Sequence, residues 1–308
     1  MYFRFPCAVV LVFMSCWIPV QAKTYDSIPQ GRSGANYLQA AFRCWVPETE
    51  EPLRGALVML AGQNGDGRVY TDDKTLRERC EEWNFALVGC YFTGDADHFY
   101  SEARRGSGLA LENALRDFAD QSGKREMDNL PLALIGFSTG AQFAFGMTCF
   151  KSNDVIAFVA DKGAFFISRP DAGTFETPGL FLVGERDEAT KSFENTFKIF
   201  KRGKERRALW AMHTEKRQKH EPAERQVQEL YLDFIHSVIA TRMDPTRPFA
   251  KPRQIRADSG VYLNRKTGEI TPRDNRKAEE APDWSWLPDQ ELALKFIDSS
   301  SLTPEEKR

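Results

Sequence analysis

Histidine is scarce in this chain. It occurs four times in 308 residues, as His98, His213, His220 and His236, so chemistry that needs an imidazole has few places to draw on. Cysteine is scarce in useful patterns. Of the six, Cys7 and Cys16 fall in the first 22 residues, leaving Cys44, Cys80, Cys90 and Cys149. None sits in C-x-x-C and none clusters with histidine, which removes the case for a zinc site. An excess of one charge is missing too. The 42 Lys and Arg nearly balance the 44 Asp and Glu, for a net charge of −2. That leaves no argument for nucleic acid as a partner or for an anionic membrane surface. Past the N-terminus no stretch approaches the roughly 18 uninterrupted apolar residues of a membrane span. There are no internal repeats.

The N-terminus reads as a signal peptide over residues 1–22. Arg4 is a short positive n-region, Ala8 to Val20 is mostly apolar, and Val20-Gln21-Ala22 puts small residues where signal peptidase requires them. The expectation is cleavage near Ala22 and a secreted or periplasmic protein, without stable membrane insertion afterwards. A lipoprotein signal at Ser15-Cys16 competes, with Phe13 where leucine is usual. Loss of Arg4 takes the net charge to −3. Export permits disulfides among the four remaining cysteines. Cys90 ends an apolar run and Cys149 falls in a helical stretch, so buried thiols stand as the equal alternative.

Residues 23–243 have the length and composition of one large domain. Lys23 to Ala35 is polar and carries Pro29, Gly31 and Gly34, which reads as a linker. Tyr37 to Val46 reads as an early strand or hairpin arm. Six apolar runs then alternate with helical patterns: Ala56 to Ala61, Phe85 to Tyr91, Leu132 to Ile135, Val155 to Ala160, Leu180 to Val183 and Ala208 to Met212. Continuous apolar runs suit strands buried on both faces. Asp73 to Trp83 reads as a helix, and Ser107 is placed to cap another. Pro222 to Arg242 shows the clearest helical stripe, through Val227, Leu230, Tyr231, Phe234, Ile235, Val238 and Ile239. The pattern predicts an α/β fold: a mostly parallel, doubly wound sheet with helices on both faces. Composition changes at Asp244-Pro245. Residues 244–308 hold a hairpin-like VYLNRKTGEIT and the cluster Trp284, Trp286, Leu287, Pro288, which is expected to pack back on the main domain as a small C-terminal extension.

The stretch LALIGFSTGAQFAFGMTCF, Leu132 to Phe150, carries the chemistry. Gly136, Ser138 and Gly140 form G-x-S-x-G between a buried strand and a helix, the setting of a nucleophile elbow. Glycines flank the serine because a Cβ there would strike the adjoining strand and helix. A serine hydroxyl needs a base, and the base needs an acid to fix its tautomer. His220 lies in the loop after the last strand of the sheet, at the edge where ligands bind in doubly wound folds. His213 is the alternative base; His236 falls on the polar side of its helix. Asp187 follows the glycine that ends the preceding strand, with Glu185, Glu188 and the more distant Asp161 as alternatives.

Taken in order, GFSTG, GERD and KHEP make residues from Ala56 to about Arg242 resemble the α/β-hydrolase family. The resemblance implies Ser138 as nucleophile, Asp187 as orienting acid and His220 as general base. It implies an oxyanion hole from the backbone N–H of Thr139 and, most directly, Gln63, with Asn64 as the alternative. AGQNG replaces the HGGG found in many lipases. Within the family the chain looks most like secreted bacterial esterases of the feruloyl or acetylxylan esterase type. The implied activity is hydrolysis of carboxylic esters, small or linked to polysaccharide, through an acyl-enzyme and without a cofactor or metal. A peptidase or other acyl hydrolase of the same fold is the alternative, as is a catalytically silent binding module.

Three smaller features complete the reading. Asn64, Asp66 and Gly67 fit part of a calcium loop, but its first position would be Gly62 and its twelfth Asp73, which lack the usual ligands. The basic run Lys198 to Arg207 could attract acidic sugars and otherwise is a solvated helix face. Little chain separates the fourth of the six runs from Leu180, which argues against a large lid. Access to Ser138 is then expected to be shaped by Phe92 to Tyr100 and by the C-terminal tryptophans.

Overall fold

A computed structural model of the chain describes residues 22–31, 33–188, 191–247, 250–256 and 259–299. The leader read from residues 1–22 lies outside them except for Ala22. The main domain runs β1 (Lys23–Ser27), β2 (Gln39–Val46), β3 (Gly55–Leu60), α1 (Lys74–Trp83), β4 (Phe85–Thr93), α2 (Ser107–Ser122), β5 (Leu132–Phe137), α3 (Thr139–Lys151), β6 (Val155–Asp161), α4 (Ala172–Glu176), β7 (Gly179–Gly184), α5 (Ser192–Lys204), β8 (Trp210–Glu215) and α6 (Arg225–Arg242). The strands form one eight-stranded sheet in the order β1-β2-β4-β3-β5-β6-β7-β8. From β4 to β8 every pairing is parallel. At the other edge β2 pairs antiparallel with both β1 and β4.

The parallel strands read as unbroken apolar runs because both of their faces are covered. In β3, Ala56, Val58 and Leu60 enter the core beneath α2 and α3, with Leu111, Phe118, Phe143 and Phe145. Leu57 and Met59 enter the opposite core with Leu76 and Trp83 of α1 and Leu230, Phe234 and Val238 of α6. Alternation is present but hidden, since each face meets helices.

Three local expectations are corrected. Lys23–Ser27 is an edge strand rather than linker; its side chains are mostly exposed, so it shows no apolar run, and it is held by the backbone register Lys23 to Val46 through Ser27 to Phe42. Ser107 is the first helical residue of α2, not its cap. Its N–H donates to the side chain of Asn36 at 2.9 Å and its hydroxyl to the Tyr100 carbonyl at 2.6 Å. A distant asparagine therefore does the capping. α6 begins at Arg225, three residues after Pro222.

The remaining segment forms β9 (Val261–Asn264), β10 (Ile270–Pro272), α7 (Arg276–Glu280), β11 (Trp284–Leu287) and α8 (Gln290–Ser299). A three-stranded antiparallel sheet has the order β10-β9-β11. It sits against β8, the open edge of the large sheet. The buried Ser285 hydroxyl accepts the Met212 N–H at 3.0 Å and donates to the Met212 carbonyl at 3.3 Å. Trp286, Leu287, Leu292 and Phe296 join the core beside α6, with Trp284 packed at its margin. The tryptophans serve this junction rather than the access route expected of them.

Cys44, Cys80, Cys90 and Cys149 are all free and buried. Burial pushes each thiol up, Cys149 to about 12. The disulfide alternative is not realised. No helix among the described residues is long and apolar enough to cross a membrane.

Candidate active site

Ser138 sits between β5 and α3 with φ 54 and ψ −117, a backbone conformation rare for any residue but glycine. The flanking glycines make the turn possible. A Cβ on Gly136 would lie 2.1 Å from the Gly140 carbonyl oxygen, and one on Gly140 would lie 2.5 Å from that of Ala61. The Ser138 N–H donates to the Asp161 carbonyl at 2.8 Å, while its own carbonyl accepts the Ala141 N–H. The hydroxyl thus projects at the C-terminal edge of the parallel strands, at the start of a helix.

His220 and Asp187 arrive at the same edge from the loops after β8 and β7. The His220 Nε2 lies 2.9 Å from Ser138 Oγ, and its Nδ1 lies 2.7 Å from Asp187 Oδ2. The tautomer that satisfies both contacts carries its proton on Nδ1, donates it to the carboxylate and leaves Nε2 to accept from the serine. The Asp187 side chain is fully buried and that of His220 is 23% exposed. Phe137 lies beside the imidazole, ring centroids 5.1 Å apart.

The two loops are stapled together. Glu185 N–H donates to the Glu215 carbonyl, Arg186 N–H to the Gln218 carbonyl, and Arg217 N–H to the Glu185 carboxylate. Glu185 is thereby occupied as a turn partner, and Glu188 is exposed. His213 is buried in β8 with its ring against Phe296, 5.7 Å between centroids. Burial, helped by the positive charges of Lys162 and Arg265, lowers it to about 4. It faces the α8 side of the sheet, away from the serine. His236 accepts a hydrogen bond from Trp83 Nε1 on the exposed side of α6, and His98 contacts Asp95.

Beneath the serine lies a buried ion cluster around Asp161, read from the sequence only as a more distant alternative acid; its carboxylate goes to Lys162 and the Ala223 N–H, and neither Lys162 nor Glu215 was picked out. Lys162, fully buried and with φ 50, donates to Asp161 at 2.9 Å and also to Glu215. The second Asp161 oxygen accepts the Ala223 N–H at 2.8 Å, three residues past His220. Desolvation raises the Asp161 carboxyl to about 6 despite Lys162 and that N–H. Asp161 thus holds the nucleophile turn through its carbonyl and the histidine loop through its carboxylate. The signal available in the sequence was the pair Asp161-Lys162 directly after six buried apolar residues.

The loop after β3 borders the serine on its other side. A Cβ on Gly62 would lie 3.6 Å from Ser138 Cβ. Asn64 donates its N–H to Tyr100 Oη at 3.2 Å and its side-chain oxygen accepts the Gly94 N–H. Gln63 N–H has no acceptor among the described residues, so this loop offers Gln63 rather than Asn64 as a free donor. Tyr100, stacked on Phe92 at 5.4 Å, also hydrogen-bonds the Thr139 side chain. Asp66 pairs with Arg68 and caps the turn that follows. With Asn64 and Asp66 so committed the loop is a hydrogen-bonded scaffold, and no cluster of potential metal ligands occurs among the described residues.

No family model matches the sequence, and no curated protein does. Solved structures do match. An α/β-hydrolase enzyme from a Medee basin deep-sea metagenome library superimposes with a TM-score of 0.53 at 13% identity, covering 72% of this chain and 99% of that one. A ferulic acid esterase gives 0.52 at 11% identity, covering 71% and 99%. At such identities the shared property is the fold, and the fold of this chain is that of the α/β-hydrolases.

Proposed function

We propose that the protein is a serine hydrolase that cleaves carboxylic esters through Ser138, His220 and Asp187. The observation that carries this is the chain of two contacts, 2.9 and 2.7 Å, from a positive-φ serine through one imidazole to a buried carboxylate. His220 Nε2 takes the hydroxyl proton as Ser138 Oγ attacks the ester carbonyl. Asp187 keeps the proton on Nδ1 and stabilises the imidazolium that forms. The tetrahedral oxyanion is received by the N–H groups of Thr139 and Gln63; one such donor is typically worth about 10²–10³ in turnover. His220 then protonates the departing alcohol, and a water molecule, activated the same way, releases the acid from Ser138.

The resemblance of the GFSTG, GERD and KHEP set to secreted feruloyl and acetylxylan esterases, with the export signal read from residues 1–22, favours esters of plant cell-wall polysaccharide, met outside the cytoplasm. The reaction needs no cofactor. The test is active-site labelling with a fluorophosphonate and turnover of p-nitrophenyl acetate, set beside acetyl-xylan and feruloyl esters. Wild-type protein should label and turn over, and Ser138→Ala should lose both. Labelling that persists in the variant at another serine would overturn the assignment.

A further inference from the structure

The basic run Lys198 to Arg207 divides in the structure. Lys204 turns inward, fully buried, with its ammonium 4.4 Å from the centre of the Tyr262 ring. Arg202, Arg206 and Arg207 turn the other way and line a cleft of about 540 Å³, joined there by Arg273 from the C-terminal extension. Phe175, Leu209 and Ile255 supply apolar surface in the same cleft. Its two carboxylates are already engaged. Asp171 accepts the Thr174 N–H and hydroxyl, and Glu176 accepts from Gln254. Arg207 pairs with Glu279 and Glu280, and Arg273 donates to the carbonyls of Arg256 and Ser259. Arg202 and Arg206 have no carboxylate partner among the described residues. Four guanidiniums face two carboxylates in the lining, and with Glu279 and Glu280 taken up by Arg207 the positive charge left without a carboxylate partner is that of Arg202 and Arg206.

The cleft's position separates it from Ser138. Glu176 leads into β7 and Leu209 into β8, so it lies at the N-terminal ends of the parallel strands. Ser138, Asp187 and His220 stand at their C-terminal ends, a strand length or roughly 20 Å away.

We propose that this cleft is a second binding site, for an acidic oligosaccharide. Carboxylates of the sugar are taken by Arg202 and Arg206, and the apolar faces of its rings lie on Phe175 and Ile255. Guanidinium matches a planar carboxylate through paired N–H donors. The volume falls in the range of about 300–1,000 Å³ that holds small ligands. A nucleic acid would call for a longer basic track on a basic surface. Such a site would keep the protein on an acidic glycan while the edge carrying Ser138 stays open. It stands independently of the hydrolase reading.

Carboxylate and phosphate share this recognition chemistry, so the experiment separates them. Calorimetric titration of the chain from residue 23 would use trigalacturonate, xylotriose and inorganic phosphate, on wild type and on the double variant Arg202→Gln/Arg206→Gln. Both arginines are exposed, so the variant retains its fold. Trigalacturonate should bind at low salt, weaken about tenfold or more in the variant through loss of two charge-assisted bonds, and be largely released near 1 M salt, where screening is shortest. Fluorophosphonate labelling of Ser138 should be unchanged by the double substitution. The proposal is overturned if trigalacturonate does not bind or binds the variant equally. It is likewise overturned if xylotriose binds as well, or if phosphate binds more tightly than the sugar.

Discussion

Replacing Lys162 by methionine would leave Asp161 and Glu215 buried without their shared cation. Removing one partner of a buried ion cluster typically costs about 3–5 kcal/mol, and urea unfolding of Lys162→Met should show a loss of that order. Because Asp161 also anchors the turn of Ser138 and the loop of His220, turnover should fall with little change in KM. His213 gives a prediction in pH. Its folded value, about 4, lies below the ordinary imidazole value of 6.5. The unfolded chain therefore binds the extra proton first. Stability from neutral His213 is complete above 6.5 and is lost as pH falls towards 4, by roughly 3 kcal/mol. Asp161, raised to about 6, works in the opposite sense, contributing at low pH and losing its effect as pH rises through 6. A comparison of wild type with His213→Met cancels that contribution. Relative to wild type, His213→Met should gain between pH 7 and pH 4, read from urea midpoints; a constant gap would show that His213 does not titrate on unfolding. Ser138, Asp187 and His220 were legible as residues because each follows an apolar run that ends at one sheet edge. Lys162 was not, since a charged residue beside a strand gives no sign of whether it turns in or out.

At the level of elements the elbow allows the sharpest test. Gly136→Ala places a methyl 2.1 Å from the backbone oxygen of Gly140, and backbone cannot rotate away as a side chain can. The strand-to-helix turn must open, and Ser138 leaves reach of His220 Nε2. Fluorophosphonate labelling should drop by at least about tenfold, as misplacement by about 1 Å can cost 10²-fold; full labelling would mean the turn tolerates a Cβ. The six parallel strands were legible because two-sided burial makes each an unbroken apolar run. β1 was not, because an edge strand with exposed side chains is held by backbone bonds that any residue can make. The start of α2 was hidden for a related reason: its capping group, Asn36, lies 71 residues away in sequence.

For the molecule as a whole, the C-terminal extension closes the β8 edge of the large sheet. Met212 has both its N–H and its carbonyl taken by Ser285, while Trp286 and Phe296 complete the core beside α6. Ending the chain at Met243 would bare that edge and the apolar side of α6 together, an invitation to pair with other chains. The truncated protein should aggregate where the longer one stays monodisperse, measured by light scattering at equal concentration. That the segment packs back was readable from its two tryptophans; that it seals a sheet edge was not, since the contact runs through a serine.

The four inert thiols have a practical consequence. Each is free, buried and pushed far from ionisation, so maleimide chemistry should pass them by. A cysteine introduced at the exposed Phe99, on the loop beside Tyr100, would then take a fluorophore with none of these four cysteines removed, in protein produced from residue 23 onward. The dye would stand one residue from Tyr100, whose hydroxyl accepts the Asn64 N–H and contacts the Thr139 side chain, and its emission should change when a ligand occupies the approach to Ser138.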